Sequence, residues 1–333
     1  MPDSNRRLCD FAPGDPFDGA IFIAALLAVR ATSGGAPFLS CKLRDSTGEV
    51  AAKLWNAPDD ILAQLSGSKL VKVRGFVERG GKYSGDFRLQ SIAPHPSPDD
   101  LTPFLTPLTG DFAAHKARFF EMIRAVKNPH LHALLKEIFR TDGEYFARFC
   151  EAPAAKSMHH SHRGGLLEHS GEVALLCDKN ASVLPHLDRD LLVTAALLHD
   201  IGKLEEMESG LSAGTYTHAG ELVGHVVLGT CIVASAANEI EGFPPKLKAE
   251  VMHLILSHHG EPEFGAARRP MCAEALILSL CDLMSAKVAQ CRDKTDCDGD
   301  FAPLNQGWHG LPDAPQRSIY IGKMREMRDN ETQ

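Results

Sequence analysis

The hydrophobic period of this chain changes once, at the proline-rich stretch HPSPDDLTPFLTPLTGD, and that change limits the fold more than any other feature. Before it, apolar residues recur at every second position. After it, they recur three and four apart. A period of two buries one face of a pleated strand, whereas three-to-four spacing buries one stripe of a helix. The 333 residues leave room for both. A multidomain chain is therefore expected: a small all-β barrel, a linker over residues 94–111, and an all-α domain.

Within residues 17–93, IFIAALLAVRAT reads as the first strand. Leu39, Cys41 and Leu43 alternate with Ser40, Lys42 and Arg44; DSTG then supplies a turn, and Val50, Ala52 and Leu54 resume the alternation, which makes a hairpin. PDDILAQLSG suits a short helical insert. Val71, Val73, Gly75 and Val77 then oppose Lys72, Arg74 and Phe76, and ERGGKYSGD turns the chain into FRLQSI. Five strands with a helix before the fourth match a Greek-key barrel of the oligonucleotide/oligosaccharide-binding (OB) kind. Lys53, Trp55, Lys72, Arg74 and Phe76, with Lys82, Tyr83 and Arg88, mix cations with rings. That mixture suits single-stranded nucleic acid, because cations neutralise phosphates while ring faces stack on unpaired bases. A plain solvated barrel face has the same alternation.

The formal charge of −8 argues against wrapping nucleic acid over the whole surface. A local basic groove is compatible with it, since residues 1–95 carry 12 Lys and Arg against 10 Asp and Glu. No apolar run approaches the roughly 20 residues that span a bilayer. The start, MPDSNRRLCDFAPGD, lacks the apolar core of a signal peptide, so a cytoplasmic protein without a membrane partner is expected. Nine cysteines without a CxxC pair read as buried, reduced thiols.

The helical part places polar donors on apolar stripes. In LLVTAALLHDIGK, Leu192, Ala195 or Ala196, and His199 share a face, which turns His199 inward beside Asp200. Leu247, Val251, Leu254 and His258 step by four, three and four, with His259 about 100° around the helix. Asp282 lies four after Leu278 and four before Ala286. His225, in AGELVGHVVLGTCIV, sits three after Leu222 and three before Leu228; His169 lies three after Leu166 and four before Val173. A lone inward histidine is more often a hydrogen-bonded core residue than a ligand. A buried, unpaired carboxylate is costly, however, and a metal ion is one of the few partners that reverse the cost. Five helices that each direct a nitrogen or oxygen donor into one core predict a metal centre.

The order His169, His199-Asp200, His225, His258-His259, Asp282 resembles the HD superfamily of metal-dependent phosphohydrolases. More closely, HHSHRGGLLEH, LLHDIGK, LVGHVVLG and LSHHGEPEFG, behind a barrel module, resemble the YhaM-type 3′-to-5′ exoribonucleases over about residues 17–290. The resemblance implies an OB-fold nucleic-acid-binding domain over 17–93, a helical connector over 112–155, an HD domain over 156–300 and a tail over 301–333. It implies that His169, His199, Asp200 and Asp282 hold one divalent ion and that Asp200, His225, His258 and His259 hold a second, with Asp200 bridging. Apolar periodicity favours His258 over His259 as a ligand; an outer-layer or phosphate-contacting role for His259 is equally open.

Two ions about 3.5–4 Å apart would acidify a bridging water for in-line attack on phosphorus. Mixed His/Asp donors suit Mn²⁺, with Co²⁺, Fe²⁺ or Zn²⁺ as alternatives, better than Mg²⁺. Lys203 and Arg163 are candidates to hold phosphate oxygens in the transition state, although each also reads as a surface cation. His159, His160 and His162 are candidates for substrate contact at the mouth of the site. DKTDCDGD, residues 293–300, lacks the glycine and glutamate of a calcium loop and reads as a solvated loop. The expected activity is 3′-to-5′ hydrolysis of single-stranded RNA, or of single-stranded DNA. The alternatives are an HD-type nucleotide or cyclic-dinucleotide phosphohydrolase and a nucleic-acid-binding protein with a structural metal; a homo-oligomer is compatible with each.

Overall fold

The computed structural model describes residues 3–32, 34–68, 70–80, 85–96, 104, 112–155, 160, 162–208, 216–292, 301–303, 318–322 and 324. The described residues divide into two compact units, one before and one after the expected linker, and each unit has its own apolar core.

The first unit is a closed barrel with strands in the order β1 (Pro16–Ala31), β2 (Pro37–Asp45), β3 (Gly48–Trp55), β5 (Phe87–His95) and β4 (Leu70–Val77). Closure depends on β1. Its first half pairs antiparallel with β4, from Pro16↔Phe76 to Ile23↔Leu70, and its second half pairs with β2, from Ile23↔Arg44 to Ala31↔Pro37. Register shifts between Asp18 and Ala20 and between Ala25 and Ala28 let one strand serve two neighbours, since a bulge bends and twists its strand. β3 meets β5 in parallel at Ala52↔Phe87, Lys53↔Arg88 and Leu54↔Leu89. The short helix α1 (Ile61–Leu65), between β3 and β4 in the chain, buries Ile61 and Leu65. This is the OB-like topology expected, helix included. The limits are wider than expected: β5 takes in Pro94 and His95, and Leu8 and Phe11 pack on the barrel core. Lys82, Tyr83 and most of the expected linker lie outside the described residues.

The second unit is helical: α2 (Phe112–Ala125), α3 (Pro129–Ile138), α4 (Glu144–Glu151), α5 (Gly165–Val183), α6 (Arg189–Leu198), α7 (Lys203–Glu206), α8 (His218–Val223), α9 (His225–Glu239), α10 (Pro245–Ser257) and α11 (Ala273–Arg292). Side chains at the starts satisfy amides that a helix leaves open. Asn128 accepts from the His130 and Leu131 N–H groups ahead of Pro129, and Asp188 accepts from Leu191. α5 packs against α2, α6 and α11. One core runs from Phe119 and Leu134 through Leu166, Leu192 and Leu254 to Leu278, so α2–α4 are built into the helical unit instead of merely leading to it.

Among the described residues, the all-α expectation is departed from at a two-stranded sheet of β6 (Phe301–Pro303) and β7 (Ser318–Tyr320) within the expected tail, and at an isolated bridge between Met207 and Tyr216. Cys41, Cys150, Cys177, Cys281 and Cys291 are buried as expected, but Cys9, Cys231 and Cys272 are exposed. Among the described residues, no helix is long and apolar enough to cross a membrane.

Candidate metal centre

Every residue of α6 from Leu191 to Leu198 is buried, so packing on all sides fixes the end of the helix. His199 closes it and Asp200 follows, both within the core. A Cβ on Gly202 would lie 2.0 Å from the His225 carbonyl oxygen and 2.4 Å from the Gly229 nitrogen; glycine therefore lets this turn lie against the start of α9. α10 repeats the arrangement. It ends at Ser257, His258 closes it and His259 follows. His169 comes from α5 and Asp282 from α11.

His225 arrives by a route the apolar spacing did not indicate. A single helix was expected through AGELVGHVVLG, with Leu222 and His225 on one buried stripe. Instead Gly224, at a φ of 78°, separates α8 from α9, Leu222 is 72% exposed, and His225 is the first residue of α9. A glycine at positive φ breaks the helical path, and hydrophobic periodicity does not register the break.

Asp200 divides its two oxygens between two sets of rings. Oδ2 lies 3.5 Å from His169 Nε2 and 3.4 Å from His199 Nε2. Oδ1 lies 3.5 Å from His225 Nε2 and 3.7 Å from His258 Nε2. Asp282 Oδ1 joins the first set, 3.1 Å from His169 Nε2 and 3.8 Å from His199 Nε2. In the second set, His225, His258 and His259 offer ligand atoms within 4.8 Å of one another. Ligands bonded to one ion at about 2.0–2.2 Å stand roughly 3–3.5 Å apart, and most of these spacings lie in or close to that range.

The groups behind the rings set which nitrogen faces the centre. His199 Nδ1 donates to the Ala196 carbonyl at 2.8 Å and His258 Nδ1 to the Ile255 carbonyl at 2.7 Å. A carbonyl only accepts, so the neutral ring carries its proton on Nδ1 and a lone pair on Nε2. His225 Nδ1 donates to Glu206 Oε1 at 2.8 Å. His169 Nδ1 donates to Ser285 Oγ at 3.1 Å, and that hydroxyl donates to Glu172 Oε2 at 2.9 Å. Lone pairs thus converge on a carboxylate that can only accept, and the Nε2 atoms of His169 and His199 are 3.3 Å apart. Asp200 Oδ1, His225 Nε2 and His258 Nε2 are buried without a hydrogen-bond partner. Acceptors buried against acceptors are unfavourable, and a cation among them satisfies all at once. The residues fit a divalent metal.

Electrostatics point the same way. Burial pushes the His258 imidazole well below its usual range, helped by His259 and His199, and burial also lowers His169; both rings are held in the neutral, ligating form. At His199, burial opposes the charge but Asp200 outweighs it and raises the ring, so a proton competes with a cation there. Burial alone would raise Asp200, yet Lys203, donating to Oδ2 at 2.6 Å, and His199 hold it well below the carboxylate range. His169 and His199 likewise hold Asp282 down against its burial.

The other expected residues divide. Arg163 gives its guanidinium to Glu151 Oε1 at 2.7 Å. His160 was expected at the mouth of the site but is 1% exposed, with Nε2 3.4 Å from Glu172 and 3.7 Å from Glu168, and its ring 5.3 Å from His169. His162 lies 2.9 Å from Glu168, and His159 lies outside the described residues.

On the barrel's outer face, Ser40, Lys53, Arg88 and Phe76 form a cross-strand row over β2, β3, β5 and β4. Beside it, Phe38 and Trp55 pair at 4.8 Å, with Arg88 5.7 Å from the Trp55 ring. Lys53 is tied to Asp86 at 3.1 Å; Lys72 and Arg74 are exposed, with Arg74 Nε 3.8 Å from Asp18 Oδ2. Phe38, Glu206, Glu172 and Ser285 escaped the sequence reading. The hairpin register around DSTG pairs Phe38 with Trp55 and was the available signal. Glu206 sits in KLEE, which reads as surface, and carried none.

An HD domain model matches residues 166–287. The chain is 34% identical over 264 residues, 77% of its length and 80% of the relative's, to the 3′-5′ exoribonuclease YhaM of Bacillus licheniformis. It is 33% identical over 282 residues, 83% and 85% of the two lengths, to the 3′-5′ exoribonuclease YhaM of Oceanobacillus iheyensis. With that likeness along most of both chains, and a histidine–aspartate centre at its core, the protein belongs to the family of the 3′-5′ exoribonuclease YhaM.

Proposed function

We infer that this chain is a metal-dependent 3′-5′ exoribonuclease, in which the barrel over residues 17–93 holds single-stranded RNA while the HD domain hydrolyses the 3′-terminal phosphodiester bond. The observation that carries this reading is the division of Asp200, whose two oxygens each face two histidine Nε2 atoms. Asp200 would then be shared between two divalent ions. His169, His199 and Asp282 would complete the shell of one, and His225, His258 and His259 that of the other. Mixed nitrogen and oxygen donors favour Mn²⁺ over Mg²⁺. When bound, the ions supply Lewis acidity, which acidifies water for attack on phosphorus and offsets the phosphate charge.

The chain's own groups do the rest. Lys203 uses one of its three N–H donors on Asp200 Oδ2 and has others for a phosphate oxygen as charge grows there. The carbonyls of Ala196 and Ile255 hold the His199 and His258 rings in the orientation that presents Nε2. Phe38, Trp55 and Phe76 offer ring faces to unpaired bases, and Lys72 and Arg74 offer charge to the backbone. Single-stranded DNA presents the same bond and is a second substrate, and the cytoplasm is the place of action.

The test is a time course on 5′-labelled single-stranded RNA and DNA with Mn²⁺, Mg²⁺ or chelator. The expected result is a ladder shortening from the 3′ end in Mn²⁺ and no turnover in chelator. Internal fragments, or cleavage that survives chelation, overturn the reading.

A further inference from the structure

We propose that Glu206 is the positioning residue for the Asp200 Oδ1 half of the metal centre, orienting His225 and supplying from behind it the negative charge that this half lacks. The proposal rests on the metal-centre reading above and deepens it.

The two halves are unequal in charge. The Oδ2 half has a carboxylate of its own, Asp282, beside its share of Asp200. The Oδ1 half has three imidazoles, His225, His258 and His259, and only its share of Asp200. A divalent ion there keeps most of its charge in a buried site, where uncompensated charge is expensive.

Glu206 sits where it answers both needs. It is buried, and its Oε1 accepts two hydrogen bonds from His225, from ring Nδ1 at 2.8 Å and from the backbone N–H at 2.8 Å. The first bond places the ring proton on Nδ1 and aims Nε2 at Asp200. The second fixes the start of α9, from which the ring projects. Behind the rings, the Nδ1 atoms of His199 and His258 rest on carbonyls, and that of His169 meets the Ser285 hydroxyl, which in turn donates to Glu172. His225 has the direct carboxylate, and a carboxylate behind a ligating imidazole raises its basicity toward metal.

The backbone of Glu206 is clamped as well. Its carbonyl accepts the Thr217 N–H at 2.9 Å, Met207 bridges to Tyr216, and a Cβ on Gly220 would lie 2.1 Å from the Glu206 oxygen. Glu205, next in sequence, points elsewhere and pairs with Arg148 at 3.1 Å. The neighbouring carboxylate is thus a natural control.

The experiment titrates Mn²⁺ into the metal-free full chain by calorimetry and follows thermal unfolding with and without Mn²⁺. The wild type is expected to take up two ions. Glu206→Gln keeps the reach and an acceptor oxygen but drops the charge; one site is expected to weaken by about 10–100-fold while the other is unchanged. Its metal-free melting temperature stays near that of the wild type, and only the upward shift on adding Mn²⁺ shrinks. Glu206→Asp, which keeps the charge on a shorter arm, recovers part of the affinity, and Glu205→Gln binds as the wild type does. If Glu206→Gln does not fold, Glu206→Asp carries the same test of one weakened and one intact site. Two wild-type affinities in Glu206→Gln overturn the proposal, as does equal weakening of both sites with a lowered metal-free melting temperature. A wild type that takes up no Mn²⁺ overturns the metal-centre reading and this proposal with it, an outcome distinct from loss of the Glu206 effect alone.

Discussion

His199 and His258 are held by the same device: each closes its helix and donates Nδ1–H to the carbonyl three residues back, Ala196 at 2.8 Å and Ile255 at 2.7 Å. Their rings stand 5.0 Å apart, and each is followed by a second donor, Asp200 or His259. Two helix C-termini, whose exposed carbonyls carry partial negative charge, therefore deliver four groups to one place, and that field favours a cation.

Asp200 joins the two ends, so its loss should be felt on both sides. Asp200→Ala is expected to lower Mn²⁺-dependent hydrolysis by more than the roughly 100-fold that removal of an outer-layer partner costs. Retention of RNA by the barrel should be largely intact, since residues 17–93 have their own core. Rates from single-turnover assays, with filter binding alongside, check this. Turnover near the wild-type rate would remove Asp200 from the bridging role.

The parts of this centre legible in the sequence were those on continuous helices. His199 and His258 follow the apolar steps of α6 and α10, and His169 and Asp282 lie within α5 and α11, so spacing in three and four reported their direction. His225 was selected on a false stripe, because Leu222 faces solvent and Gly224 breaks the helix. Glu206, Glu172 and Ser285 were invisible for a different reason. They matter through hydrogen bonds with residues 19, 113 and 116 positions away: Glu206 with His225, Glu172 with Ser285, and Ser285 with His169. In the barrel, alternation gave the strands their faces, but the parallel β3–β5 contact that completes closure joins segments more than 30 residues apart and leaves no local pattern.

Gly202 tests how closely the turn after Asp200 must approach α9. An added Cβ meets backbone atoms of His225 and Gly229, which cannot rotate away as a side chain can. Gly202→Ala is expected to cost about 1–3 kcal/mol of stability, the usual range for overpacking, and to weaken Mn²⁺ binding by separating Asp200 from His225. Denaturant unfolding and metal titration read the two effects. A stable variant with wild-type metal affinity would show that the approach is not needed.

Glu168 gives the helical unit a defined response to acid. Burial opposes its charge, yet the His162 hydrogen bond and Arg292, 3.0 Å away, bring the carboxyl from the ordinary 4.5 down to about 2. A folded-state value below the unfolded one stabilises the fold above about pH 4.5 and loses that contribution as pH falls toward about 2. Glu168→Gln should therefore be less stable than the wild type at pH 7, by about 1.5–3 kcal/mol for a hydrogen bond to a charged group. The gap should narrow between pH 4.5 and pH 2. Unfolding midpoints of the pair across that range decide it, because other acid-sensitive groups act on both proteins alike. A gap independent of pH would deny Glu168 its charged role.

The proposed role of the barrel in substrate capture is measurable through substrate length at the Phe38–Trp55 pair. The two rings lie on opposed positions of the β2–β3 hairpin, 4.8 Å apart, with Arg88 beside Trp55, so they offer a stacking surface on the outer face of the barrel. A stacked base contributes about 1–3 kcal/mol regardless of its identity. Trp55→Ala and Phe38→Ala should therefore raise KM for long single strands by about 5–150-fold. The value of kcat should hardly change, because neither ring belongs to the set of groups around Asp200. Arg74→Ala should act in the same direction and lessen the salt dependence of binding, since its exposed guanidinium contributes charge where the rings contribute stacking. If the barrel serves only to capture long strands, the KM of a dinucleotide should be unaffected by any of the three. Equal losses on long and short substrates would separate the barrel from substrate capture and leave this face as solvated surface.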